Sequence, residues 1–264
     1  MAKYKVVHYI NQFFAGIGGE EKADHMPEVR QGAVGPGRGL QAALGSDYEI
    51  AATVICGDNY FGKAPAITTV DMAKAWMSEG HPFTCDHSEE VCANALKVLE
   101  AGRKAGVPIF HTTTGYVGKQ QWDLPRWDEK IPMSALDINS EWLEIDPKLK
   151  PLPEEPVIHK KYASNFFGTH LAQTLNFLGV DTLIVMGATS CACVRHTVMD
   201  STGYGFKTIV PEGTVGDRVP GVIEWNLFDM EAKFADVVPV DEVVEYLEGI
   251  DSNVYTKHER SMDQ

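Results

Sequence analysis

The sequence predicts an α/β fold: a mostly parallel sheet wrapped by helices in three α-β-α layers, with a small N-terminal β-α-β-like extension. Three observations predict it. From residue 64 onward, short β-rich runs alternate with helical stretches, the pattern of a parallel α/β sheet. Thr182-Leu-Ile-Val-Met186 is an almost unbroken apolar run, as expected for a strand buried on both faces. Gly106 and Gly179 stand where helices should stop, since glycine adopts the left-handed conformation at little cost.

The elements follow in order. Ala66-Ile-Thr-Thr-Val70, after Pro65, is the first strand of the main domain. Val91, Ala95, Val98 and Leu99 form a helical stripe between Ser88 and Gly106. Val107-Pro-Ile-Phe-His-Thr-Thr113 is the second strand, and a long Trp- and Pro-bearing connection runs from about Gly115 to Pro156. Val157-Ile158 opens a third strand. Leu171 to Leu178 is helix, 182–186 the apolar strand, and Thr197 to Thr202 helix again. Phe206 to Val210 is a strand, Asn226 to Ala235 a helix, Val237-Val238 a terminal strand and Glu242 to Leu247 the last helix. Ahead of these, Val6 to Ile10 and Tyr48 to Ile55 read as strands, with a Gly16-Ile-Gly-Gly19 loop and a helix over Gly37 to Leu44 between them. The chain thus divides into an extension (1–62), a main domain (63–250) and a tail (251–264).

Composition excludes several classes of function. The 264 residues are 44% hydrophobic, which supports a substantial core. A net charge of -14, without a Lys/Arg cluster, argues against nucleic acid or an anionic membrane as partner. No apolar run approaches the ~20 residues of a membrane span. The N-terminus reads as a strand rather than a signal peptide, so a cytoplasmic protein is expected. The five cysteines contain no C-x-x-C pair; a disulfide framework, redox exchange and structural zinc all lack support.

The segment Gly187-Ala-Thr-Ser-Cys-Ala-Cys-Val-Arg-His-Thr197 carries the chemistry. An apolar strand runs into small residues, then a cysteine, then a helix. Small residues permit a sharp turn and leave backbone N–H groups free for a substrate oxygen. A thiol at a helix N-terminus feels the positive end of the dipole, which favours thiolate. From this pattern alone Cys193 is equally a small inert hydrophobe at a strand–helix junction. Asp71, alone, reads better as an ordinary strand-end capping residue than as a catalytic base.

A resemblance adds to this reading. Val70-Asp-Met-Ala-Lys-Ala-Trp76, Gly80-His-Pro-Phe83, Gly187-Ala-Thr189 with Cys193-Val-Arg-His-Thr197, Thr214-Val-Gly-Asp-Arg-Val-Pro-Gly221 and Trp225-Asn-Leu-Phe-Asp229 occur in the order found in the isochorismatase-like cysteine hydrolases. Within them they most resemble the N-carbamoylsarcosine amidohydrolases, over residues 64 to about 248. The resemblance implies a catalytic triad of Cys193 as nucleophile, Asp71 as base and Lys160 as its charged partner, with Lys161 the rival for the last position. It implies an oxyanion hole from the Thr189 and Cys193 N–H groups, a cis Ala188-Thr189 peptide, and Arg218 as clamp for a substrate carboxylate. The other reading of Arg218 is an ion pair with Asp217 or Glu212.

Cys191 is a filler or an oxidation partner, and two residues of separation disfavour a disulfide. Arg195 and His196 are assigned to structure or a subunit contact. No cofactor is implied. A metal is disfavoured because Met72 and Ala73 follow Asp71 where related metal-dependent enzymes carry Asp-x-His. The implied partners are a small-molecule substrate with a carboxylate and further copies of the chain in a homotetramer. Residues 1–61 resemble the start of component B of the glycine/sarcosine/betaine reductase complex, so reductase components are a further candidate partner.

Overall fold

The computed structural model describes residues 61–118, 120–251 and 254–255. The elements expected before residue 60, and most of the tail, lie outside the described residues. The described part contains a seven-stranded sheet: β1 (Pro65–Val70), β2 (Ile109–Thr114), β3 (Val157–Lys160), β4 (Thr182–Ala188), β5 (Lys207–Glu212), β6 (Val215–Gly216) and β7 (Asp236–Pro239). The order is β3-β2-β1-β4-β5-β7, with β6 paired to β4. All these pairings are parallel.

β1, β2 and β4 are buried at every position, because helices cover both faces. Successive strand residues point to opposite faces, and the two cores divide accordingly. On one face Ile67, Ile109, Ile184 and Ile209 pack with α1 (Ser88–Ala105) and α5 (Val240–Glu248). On the other, Ala66, Phe110, Leu183, Val185 and Val210 pack with α2 (Leu171–Phe177), α3 (Arg195–Gly203) and α4 (Pro220–Glu231). The stripe of α1 is buried as its spacing predicts, and Gly106 ends the helix at φ 71°.

Several boundaries differ from expectation. β2 starts at Ile109 because Val107 still serves the preceding helix, donating to Gly102 O at 2.9 Å. β5 starts at Lys207 because the Phe206 N–H returns to Ser201 O. α4 starts six residues before Asn226, at Pro220; proline is favoured at the first helical position, where its missing N–H costs nothing. The long connection is not loose. Four 3-10 turns punctuate it, and bridges tie Ala73 to Ile145 and Tyr116 to Asp137. Leu136, Leu143 and Leu149 pin it to the core.

The order in which strands are added reverses between β1 and β4. β2 and β3 lie to one side of that boundary, β5 and β7 to the other. Such a switch point leaves a crevice at the carboxyl ends of the strands. Gly187 permits the close approach of β4 to β1. It sits at φ 128°, and a Cβ there would meet Val70 O at 2.1 Å.

Candidate active site

Four side chains converge at this switch point. Asp71 follows β1, Thr114 ends β2, Lys160 ends β3 and Cys193 follows β4. Asp71, Thr114 and Lys160 are buried to 1% exposure or less, and Cys193 is 6% exposed. Asp71 adopts φ 50°, an uncommon conformation for a residue with a side chain.

Lys160 Nζ donates to Asp71 Oδ2 at 2.8 Å, Thr114 Oγ1 at 2.7 Å, Ala163 O at 2.9 Å and Tyr162 O at 3.1 Å. The Thr114 hydroxyl donates in turn to Asp71 Oδ1 at 3.0 Å. The ammonium, hydroxyl and carboxylate therefore form a closed triangle. Burial presses the Lys160 ammonium downward, but the Asp71 carboxylate and the Cys193 thiol outweigh it, and the net shift is upward. Lys161 points elsewhere, donating to Gly115 O at 2.6 Å and pairing with Asp123.

Both Asp71 and Lys160 act on the Cys193 thiol through hydrogen bonding and charge. Burial is the main cause that pushes this thiol above its ordinary range; Lys160 draws it down and Asp71 raises it. Burial thus acts against the pull that a helix N-terminus exerts toward thiolate. A one-turn π-helical segment, Ser190–Val194, carries the cysteine before α3 begins. The hydroxyl of Thr197 donates to Cys193 O at 2.7 Å and accepts the Asn165 N–H at 3.0 Å. The Asn165 side chain accepts from Thr112 Oγ1 and donates to Thr68 Oγ1, so the nucleophile turn is tied to β1 and β2.

The Ala188-Thr189 peptide is cis. Among the described residues, the Thr189 N–H donates to no backbone carbonyl, which leaves it available to a substrate oxygen. Asp217, 3% exposed, accepts Ser190 Oγ at 2.7 Å and the Cys191 N–H at 3.2 Å.

Arg218 is exposed. Its Nη1 lies 3.5 Å from Phe83 O, and its guanidinium sits 5.9 Å from the Phe83 ring centre. It forms no ion pair with Asp217 or Glu212; its bond to Asp217 runs through its own backbone N–H, at 2.8 Å. Cys191 is an exposed free thiol. Arg195 pairs with Asp229 on α4, and His196 Nδ1 lies 2.7 Å from Ala192 O. Among the described residues, no group of three or more His, Cys, Asp or Glu side chains is placed to hold a metal ion.

Sequence reasoning missed Thr114 and the role of Asp217. Three consecutive threonines give no hint of which faces the ammonium. Asp217 entered only as an alternative ion-pair partner of Arg218, whereas its carboxylate turns toward the nucleophile turn.

Two family models match the chain. Residues 65–242 match the Isochorismatase domain family model. Residues 3–79 match the glycine/sarcosine/betaine reductase selenoprotein B model, a match that runs past Phe61 and overlaps the first. The chain is 44% identical over 194 residues to N-carbamoylsarcosine amidase of Arthrobacter sp, covering 72% of this chain and 74% of that one. It is 37% identical over 232 residues to the sarcosine reductase complex component B subunit beta of Peptoclostridium acidaminophilum, covering 83% of this chain but 50% of that one. The crystal structure of a cysteine hydrolase from Pseudomonas syringae pv. phaseolicola 1448A superposes with a TM-score of 0.63 at 22% identity, over 70% of this chain and 92% of that one. That likeness shows the fold.

Proposed function

The chain belongs to the isochorismatase domain family, as an amidohydrolase within it, and on that premise we propose that it hydrolyses N-carbamoylsarcosine to sarcosine, carbon dioxide and ammonia. The observation that carries this reading is the buried Asp71–Lys160 pair, 2.8 Å apart, acting on the Cys193 thiol. A thiol pushed upward by burial calls for a base beside it, and Asp71 is within reach.

Asp71 takes the thiol proton as sulfur attacks the ureido carbon. The negative charge formed on the carbonyl oxygen rests on the Thr189 and Cys193 N–H groups. The C–N bond to the NH2 group breaks, and that nitrogen takes the proton from Asp71 and leaves as ammonia. A water, deprotonated by Asp71, then cleaves the carbamoyl thioester and returns the proton to sulfur. The released carbamate decomposes to sarcosine and carbon dioxide. Lys160 keeps its proton throughout and stabilises the negative charge that passes between Asp71 and sulfur. Arg218 receives the substrate carboxylate, a task suited to a two-pronged guanidinium.

Ammonia release from a panel of N-carbamoylsarcosine, N-carbamoylglycine and nicotinamide tests the substrate. Preference for N-carbamoylglycine moves the assignment to another carbamoyl amino acid. Cys193→Ala is expected to retain its fold and lose turnover; normal ammonia release by that variant defeats the mechanism.

The match of residues 3–79 to a reductase component favours a second role beside the first. The extension over residues 1–62 docks on components of a sarcosine- or glycine-reducing complex, which consumes the amino acid released here. Co-purification that is lost on deleting the extension tests it. The main domain over 63–250 assembles as a homotetramer, which light scattering on the full chain checks. Among the described residues no helix is long and apolar enough to cross a membrane, in keeping with a cytoplasmic site of action.

A further inference from the structure

Asp217 is a buried carboxylate whose two oxygens serve two different parts of the site. Oδ2 accepts the Ser190 hydroxyl at 2.7 Å and the Cys191 N–H at 3.2 Å. It thereby caps the turn that carries Cys193, a turn whose own N-cap residue, Thr189, makes no side-chain cap. Oδ1 accepts the backbone N–H of Arg218 at 2.8 Å. The Asp217 carbonyl accepts the Asp86 N–H at 2.9 Å, anchoring the same loop beside Phe83. Phe83 holds the head of Arg218 by its carbonyl and ring face.

One carboxylate thus fixes both the nucleophile turn and the backbone of the guanidinium. The sheet contributes little to this spacing. β6 pairs with β4 only at Val215 and Gly216, and beyond Gly216 the connection falls to Asp217. A substrate that reacts at Cys193 and is clamped at Arg218 is held at both ends. The distance between those ends selects its length.

We infer that Asp217 is a positioning residue that sets the span between nucleophile and clamp, and so the chain length of the carbamoyl amino acid accepted. This rests on Cys193 and Arg218 acting as proposed above.

Asp217→Asn tests it in the full-length protein. The amide keeps one oxygen as an acceptor but presents an NH2 group on its other side, so one of the two sites loses its acceptor. Losing a hydrogen bond to a charged group predicts that kcat for N-carbamoylsarcosine falls by about 10- to 100-fold, with KM changed by less than about threefold. The preference in kcat/KM for N-carbamoylsarcosine over its homologue one methylene longer, N-carbamoyl-N-methyl-β-alanine, shrinks by about tenfold or more. Alkylation of Cys193 by iodoacetamide, which needs no clamp, stays within about threefold of wild type when read by peptide mass.

An unchanged length preference overturns the inference. So does a parallel fall in alkylation and in turnover of both substrates, which is the mark of a merely structural role. Should Asp217→Asn fail to accumulate, Ser190→Ala removes one of the same bonds and is expected to shift the preference the same way; no shift there overturns the inference equally. Ammonia release by Cys193→Ala would instead defeat the parent mechanism. A wild-type protein selective for the shorter substrate, with a variant equally selective, defeats only the span.

Discussion

Two adjacent threonines at the end of β2 provide a controlled test of the buried triangle. Thr114 accepts from Lys160 at 2.7 Å and donates to Asp71 at 3.0 Å. Among the described residues, the Thr113 hydroxyl next to it is buried with no hydrogen-bond partner. Valine matches threonine in shape, so Thr→Val at either position changes hydrogen bonding with little change in packing.

In Thr114→Val the ammonium keeps three acceptors for its three protons, at 2.8, 2.9 and 3.1 Å. The cost falls on Asp71, whose Oδ1 loses its hydroxyl donor. One hydrogen bond to a buried charge is worth about 1.5–3 kcal/mol. In Thr113→Val a desolvated, unpaired hydroxyl is removed, which is neutral or stabilising by up to about 1 kcal/mol. The two variants should therefore differ by about 1.5–4 kcal/mol, with Thr114→Val the weaker. Urea unfolding measures this difference directly, and ammonia release should fall in Thr114→Val alone. Equal midpoints, or a less stable Thr113→Val, would refute the bridging role of Thr114.

Further expectations follow from the scaffold. Glu155 meets Arg103 Nε at 2.7 Å and His111 Nε2 at 3.0 Å. Burial pushes its carboxyl up, but Arg103, the Leu152 N–H and His111 outweigh it and hold it down at about 2, against an unfolded value of 4.5. A depressed carboxyl stabilises the fold above pH 4.5 and loses that contribution as pH falls toward 2, a contribution on the order of 3 kcal/mol. Glu155→Gln should be less stable than wild type at pH 7, with the gap narrowing below pH 4.5 and closing only near pH 2; a gap that does not narrow on acidification contradicts the assignment. His111 is driven down mainly by burial, so below about pH 6.5 the unfolded chain takes up that proton first, and its contribution too is lost on acidification. Gly187→Ala places a methyl 2.1 Å from Val70 O and should leave little soluble protein. Wild-type yield and unfolding midpoint for that variant would show that β4 does not need the close approach.

Much of this was legible in the sequence, for identifiable reasons. The alternation of elements and the helix stops at Gly106 and Gly179 depend on local spacing and backbone freedom, and both were read directly. The choice between Lys160 and Lys161 had a signal that went unused. Ile158 is buried in β3, and a period of two places residue 160 on the same face and residue 161 off it. The upward push of burial on the Cys193 thiol was not legible, because a dipole acts locally whereas burial depends on what the rest of the chain brings to the switch point. Thr114 and Asp217 escaped for a similar reason. Their partners lie 43 and 27 residues away, and neither residue type marks its partner in the sequence.

Among the described residues, Lys160 sits on β3, the outermost strand on its side of the sheet, four residues long and paired only with β2. Peeling back those few residues would strip the crevice of its cation while the rest of the sheet stayed intact. Edges of this kind open at a free-energy cost below that of global unfolding. Mild heat or low denaturant should therefore silence the enzyme before its bulk fold melts, and amide exchange at residues 157–160 should keep pace with that loss.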